Sequence, residues 1–223
     1  MERILWLYAQ PYDPKRPVVC FDERPCFLID DAVEPIAMQI GQVRKEHYAY
    51  QKNGSCALLA AIEPLTAHRV AQVYGQRTAR EFTHFCQRLA EAYPEADKIC
   101  LVLDNLNTHT TASFYKHLPA DKAFALGQRF EFWFTPKSAS WLNMIEIEFS
   151  ALARLCLNRR IATIEKLSTE VLALIDERMH KSIKINWQFS IDVCRQKLNS
   201  RYTVVNDANS KFDKSANIET VDF

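Results

Sequence analysis

The chain has 223 residues, of which 48% are hydrophobic, and a formal net charge of +1. That length can bury a full core in one large domain or two small ones, while the near-neutral charge argues against a protein whose task is to coat DNA, since nucleic-acid affinity grows with the phosphates neutralised. No run approaches the roughly 18 apolar residues of a membrane span, and the opening MERILWLYAQPYDPKRP lacks the basic segment, apolar run and cleavage site of a signal peptide, so a soluble, cytoplasmic protein is expected.

In chain order, apolar strand-like runs occupy 17–21 and 26–29. A longer pair, 47–51 and 56–62, flanks Lys52-Asn53-Gly54-Ser55, and Asn-Gly between β-prone runs signals a hairpin. An early three-stranded meander is therefore expected. Residues 78–93 place Phe82, Phe85, Cys86, Leu89, Ala90 and Tyr93 at helical spacing, with Glu81 three residues after a Thr78 cap, and Pro94 ends that helix. The short apolar run 99–103 reads as a buried central strand. A strand at 129–134 and helices near 140–156, 163–179 and 190–198 follow. The pattern predicts an α/β fold, a mixed sheet with helices on its faces, over 1–200; residues 201–223 are polar, lack helical periodicity and read as a flexible tail.

Seven cysteines are scattered without a CxxC pair or a zinc-like spacing and read as reduced, mostly core residues. Between Ala151 and Arg201, ten Lys/Arg stand against five Asp/Glu. Two readings stand: a solvated helical face, or a track for a phosphate backbone.

Three carboxylates occupy telling positions. Asp22 shares a strand face with Val18 and Cys20, and Asp104 ends the apolar run 99–103, so both emerge where a strand leaves the core. On the later helix Leu142, Ile145, Phe149, Leu152 and Cys156 form the buried stripe. Glu146 flanks it beside Asn143 and Ser150, and Glu148 flanks it beside Trp141 and Met144; only one can face a given cleft, and the polar stripe favours Glu146. Glu23, next to Asp22, points to the opposite face.

The segments VVCFDE, YAYQKNGS, LVLDNLNTH and FTPKSASWLNMIEIE resemble the catalytic domain of DDE transposases, specifically the bacterial insertion-sequence branch (insertion sequence 630 type) of the mariner superfamily. The resemblance runs from about Tyr12 to Leu198. It implies a ribonuclease-H-like fold with a mixed five-stranded sheet, a metal-binding and catalytic triad of Asp22, Asp104 and Glu146, and cleavage and strand transfer of DNA at transposon ends. Water would first free a 3′-hydroxyl at the transposon end, which would then attack target DNA. Carboxylates suit the implied cofactor, a pair of Mg²⁺ ions with Mn²⁺ able to substitute, because hard cations prefer oxygen ligands.

Asn105 and His109 fall beside the site by the same resemblance, His109 to contact a phosphate or orient a bound water, or else to cap or pack. Lys137 is expected to pair with a DNA phosphate or to be a solvated loop residue. Asn143 joins these as a neighbour of the site or of DNA. Trp141 and Trp187 are read either as base-stacking or as core residues.

Forty-one residues separate Asp104 from Glu146, with the excess over eukaryotic mariner relatives at 119–127. Relatives carry an N-terminal helix-turn-helix region that reads the inverted repeats, whereas Met1 here lies just ahead of the first catalytic strand. Recognition is therefore expected from a separate polypeptide, or the chain is a fragment. The family also implies double-stranded DNA (terminal inverted repeats and target) as partner, a homodimeric synaptic complex, and association with the nucleoid when DNA is bound. Two rivals remain: a non-enzymatic DNA-binding regulator that kept the fold, and a ribonuclease-H-like nuclease acting on other nucleic acids.

Overall fold

The computed structural model describes residues 1–212. In chain order its elements are α1 (Glu2–Tyr8), β1 (Val18–Asp31), β2 (Tyr50–Ile62), β3 (Arg69–Tyr74), α2 (Ala79–Ala92), β4 (Ile99–Leu103), α3 (Thr111–His117), α4 (Ala120–Gln128), β5 (Phe130–Phe134), α5 (Ile145–Leu155), α6 (Ile164–His180), α7 (Ile191–Lys197) and α8 (Asn199–Val205). A 3₁₀ turn at Ser140–Leu142 leads into α5, and another spans Asp207–Phe212.

The chain divides into two compact units, Tyr12–Asn186 and a second made of Met1–Pro11 with the chain from Trp187 onward. In the smaller unit, Glu2 accepts both Arg195 Nε and Nη2 at 2.9 Å and the Tyr202 hydroxyl at 2.8 Å. Those bonds correct the reading of 201–205 as structureless: tertiary partners stabilise a helix that periodicity alone does not announce. The rest of the expected tail, 213–223, lies outside the described residues.

The larger unit is built on one five-stranded sheet in the order β3-β2-β1-β4-β5. β1, β2 and β3 form an antiparallel meander, and β1-β4-β5 are parallel. The mixed sheet and the meander match the expectation, with one correction. Asn53-Gly54 does not turn a hairpin; it lies inside β2, where Phe27 pairs with Ser55 and Ile29 with Lys52, so two residues of β2 stand opposite Leu28 alone. This is a β-bulge, and Gly54 takes the positive φ of 107° that bulges often require. The turn between β1 and β2 instead occupies 32–49, with bridges Ile36 to Lys45 and Gln39 to Gln42.

Strand alternation sends Val19 and Phe21 of β1 to one face, where they pack with Leu59, Phe82, Phe85, Leu89, Leu101, Phe114 and Leu126 under α2, α3 and α4. Each fully buried side chain of this kind contributes about 1.5–3 kcal/mol. α2 starts as its sequence predicts: the Thr78 side chain caps it and Glu81 completes the capping box. The opposite face carries Cys20, Leu58 and Ala60, all buried, and α5 contacts β1 and β2 there. α4 fills the 119–127 region that reads only as excess length in the sequence, with Ala123 and Leu126 as its buried anchors, and α3 just before it buries Phe114. All seven cysteines are free and buried. Among the described residues no helix is long and apolar enough to cross a membrane.

Candidate active site

β1 and β4 run parallel with Cys20 opposite Val102 as their last pair. Carrying that register on by two residues sets Asp22 opposite Asp104, the residue that follows Leu103 at the end of β4. Neighbouring strands lie about 4.8 Å apart, so the two aspartates leave the sheet side by side. Asp22 is half-buried and points to the α5 face with Cys20.

The third acid comes from α5. Glu146 sits in the first turn, half-buried, with its backbone N–H donating to the Asn143 carbonyl at 3.1 Å. The Asn143 side chain is buried and donates from Nδ2 to the Phe21 carbonyl at 2.7 Å, which fastens the start of this helix to β1 one residue before Asp22.

Electrostatics record the gathering of charge. Burial is the largest influence on Asp22, and the charges of Asp104 and Glu146 add to it, against the opposing Glu23 amide bond and His109; together they lift its carboxyl to about 6. The Glu23 N–H donates to Asp22 Oδ1 at 2.7 Å. The alternative glutamate is used elsewhere. Glu148 is buried and accepts Arg69 Nε at 2.9 Å, Arg69 Nη2 at 3.0 Å, Arg178 Nε at 2.7 Å and Arg178 Nη2 at 3.0 Å. Burial alone would raise its pKa, but the two guanidinium groups hold it below the ordinary glutamate range.

Among the described residues, no three His, Cys, Asp or Glu side chains stand together as a ready-made metal cluster. The sequence reading has all three acids on shared ions, and the structure places them at one end of the sheet without closing them into a cage. Their chemistry fits a hard divalent cation, since all the donors are carboxylate oxygens and Asp22 carries the cost of crowding.

The secondary residues divide. His109 is fully buried, with Nδ1 2.6 Å from Asp104 Oδ1 and Nε2 3.3 Å from Glu23 Oε1. That depth favours orientation of a neighbouring group over contact with a DNA phosphate. Burial opposes a charged ring, but the hydrogen bonds and charges of Asp104 and Glu23 outweigh it and raise His109 to about 9. Asn105 and Lys137 are both exposed, on the loops after β4 and β5. Trp141 is 48% exposed, whereas Trp187 donates from Nε1 to the Phe189 carbonyl and packs edge-on against Tyr8.

Of the basic run, Arg159 pairs with Glu170, Arg160 with Asp31, Arg178 with Glu148, Lys181 with Glu177 and Arg195 with Glu2. Half of its ten cations are thus neutralised within the fold. Glu23 is the functional candidate that the sequence leaves aside: alternation does send it to the opposite face, but His109 waits there to connect it back to Asp104.

Residues 17–168 match the sequence profile of the family described as DDE superfamily endonuclease. No curated protein matches the sequence. Among solved structures, the chain is similar to that in the crystal structure of the Mos1 strand transfer complex, at 13% identity and a TM-score of 0.54, covering 81% of this chain and 55% of that one. A pre-cleavage Mos1 transpososome is also similar, at 14% identity and a TM-score of 0.46, covering 84% of this chain and 61% of the other. This chain therefore spans a little over half the length of those proteins. The first likeness is one of fold, and the fold is ribonuclease-H-like.

Proposed function

The chain belongs to the DDE superfamily of endonucleases, and from that premise we propose that it is a transposase catalytic domain, of the bacterial insertion-sequence branch of the mariner superfamily, which cuts DNA strands at transposon ends and joins them to a target. The observation that carries this reading is the register of β1 and β4, which sets Asp22 beside Asp104, together with the reach of the Glu146 charge to the same point.

Asp22, Asp104 and Glu146 would hold divalent cations, Mg²⁺ or in its place Mn²⁺. Bound there, a pair of such ions supplies activation of the attacking oxygen and stabilisation of the leaving oxygen in an in-line displacement. The rest of the work falls to the protein. Asn143 holds the α5 carboxylate against β1, and His109 holds that of Asp104. Asn105, next to Asp104, and Lys137, on the loop between β5 and α5, are exposed and engage the phosphates that flank the scissile bond. Hydrolysis frees a 3′-hydroxyl, and the same carboxylates then serve its attack on a second DNA, so one site accomplishes both steps. Terminal-repeat recognition by a helix-turn-helix region on a separate or longer polypeptide, and pairing of two copies across two DNA ends, complete the proposed assembly.

The test is a nicking and strand-transfer assay with Mg²⁺ or Mn²⁺ on end-containing DNA, comparing the native chain with Asp104→Ala. Cleavage and joining by the native chain alone support the proposal. Equal activity in the two proteins refutes the site; cleavage of RNA–DNA hybrids without any strand transfer refutes the transposase reading in favour of another nuclease.

A further inference from the structure

The buried pair Glu23 and His109 lies on the aromatic face of the sheet, away from the three acids, yet it touches one of them. His109 packs at 4.8 Å from the Phe82 ring and edge-on at 5.4 Å from Phe21, with no exposure of its side chain. One ring nitrogen meets Glu23 Oε1 at 3.3 Å; the other lies 2.6 Å from Asp104 Oδ1 as an ion-pair contact and 3.4 Å from the Asp104 backbone carbonyl, and Oδ1 is buried with no hydrogen bond of its own. Glu23 is itself only 4% exposed, so a carboxylate has been placed in an apolar core where burial is costly unless it is paired. An apolar pair of similar volume in this space would be expected to cost no stability and often to add some. What an apolar pair would lose is the grip on Asp104: its side chain is 35% exposed, and its Oδ1 is turned inward to the ring, so the exposed edge is the one left for the site.

We propose that Glu23 is a positioning residue for this site: it fixes the His109 ring, and the ring fixes the Asp104 carboxylate with Oδ1 held inward and Oδ2 presented to the cation. The inference rests on Asp104 being a cation ligand, as in the function proposed above. It is a geometric arrangement of three side chains contributed by β1, the end of β4 and the loop that follows, with Glu23 and His109 86 positions apart in the chain. Outer groups of this kind commonly change metal affinity by 10–100-fold when removed, because a carboxylate free to rotate must be ordered at the moment of binding.

The test uses Mn²⁺ binding to the full chain, read from the loss of the free-ion paramagnetic resonance signal, so that no DNA or turnover is needed. Four proteins are compared: native, Asp104→Ala, Glu23→Leu and Glu23→Gln. Leucine keeps the buried volume and removes the acceptor, whereas glutamine keeps an acceptor for the ring. A packing role predicts that Glu23→Leu binds like the native chain. The positioning role predicts at least about tenfold weaker binding in Glu23→Leu and recovery to within a few-fold in Glu23→Gln.

Native-like affinity in Glu23→Leu, with binding lost in Asp104→Ala, overturns this inference and leaves the proposed function standing. Native binding no tighter than that of Asp104→Ala overturns the metal reading and this inference with it. Should Glu23→Leu fail to fold, the native chain still decides. The ¹⁵N resonances of the His109 ring must shift when Mg²⁺ is added and must not shift in Asp104→Ala, and a ring indifferent to Mg²⁺ in the native protein sinks the proposal.

Discussion

Asn143 Nδ2 donates to the carbonyl of Phe21 at 2.7 Å, across 122 residues of chain and with both groups buried. The bond ties the loop that launches α5 to the strand residue preceding Asp22. Replacing Asn143 with alanine leaves the Phe21 carbonyl buried without its donor, at a cost of about 1–3 kcal/mol. The two acids it aligns should also lose their register, so DNA cleavage is expected to fall by more than the stability loss would predict under conditions where the variant is still fully folded. Urea unfolding beside a nicking assay checks both. A variant that is destabilised yet cleaves at the native rate would reduce Asn143 to a structural strut.

Asp22 offers a test in the metal-free protein. Its carboxyl sits at about 6 against an ordinary 3.8, raised first by burial and then by Asp104 and Glu146. A raised acid binds its proton more tightly when folded, so stability falls as pH rises from about 4 to 6, and the penalty is fully present above that window. At pH 7.5 the shift corresponds to a penalty on the order of 2–3 kcal/mol. Asp22→Asn should therefore melt higher than the native chain without divalent cations while having no nuclease activity. Added Mg²⁺ should raise the native melting temperature and leave that of the variant unchanged. A variant that melts lower at pH 7.5 would mean that burial and the neighbouring charges do not penalise the ionised Asp22.

Glu146 and Glu148 are two residues apart on α5 and should behave in opposite ways. Glu146→Gln is expected to abolish cleavage with little effect on stability. Glu148→Gln should cost about 3–5 kcal/mol, because Arg69 and Arg178 are left with a neutral partner in a buried site. The pH dependence has a definite sign. Glu148 titrates below its unfolded value, so its contribution is fully present above the ordinary glutamate pKa of about 4.3 and is lost as pH falls through its depressed folded value. Acid unfolding of the native chain should therefore be steeper below pH 4 than that of Glu148→Gln. Parallel acid curves for the two proteins would argue that the arginines do not stabilise the charged form.

Local chemistry explains what the sequence makes legible. The run ICLVL is apolar on both faces and gives way to Asp104, so both a central strand and the carboxylate at its end can be read from five residues and their border. Thr78 and Glu81 announce the start of α2 because the capping box is completed within four residues. The choice between Glu146 and Glu148 is harder, since periodicity places them on two flanks of one stripe. Guanidinium groups 79 and 30 residues away occupy Glu148, which leaves Glu146 as the candidate. Glu23 is hidden for the same reason: alternation gives its direction correctly, but its meaning lies in His109. Helices α1 and α8 take their shape in part from Glu2, Arg195 and Tyr202, partners at opposite ends of the chain.

Asn53-Gly54 shows how a strong local signal can be honoured in another form. The pair asks for a backbone with positive φ, and a two-residue hairpin and a β-bulge both supply it. The length of β1 decides between them: its pairing with β2 continues on both sides, from Cys26 opposite Cys56 to Asp31 opposite Tyr50, so the chain absorbs one extra residue instead of turning back. Gly54 has φ of 107°, and a Cβ there would meet no neighbour within 4 Å, so any cost of adding one comes from the backbone and not from a clash. Gly54→Ala should destabilise the fold by roughly 1–2 kcal/mol. Gly75 is equally uncrowded but lacks a positive φ, and alanine there should be neutral or stabilising by up to about 1 kcal/mol, because it narrows the unfolded ensemble. Urea midpoints for the two variants make the comparison direct. If both shift alike, the bulge does not constrain residue 54, and the register on either side of it would have to be held by side-chain packing alone.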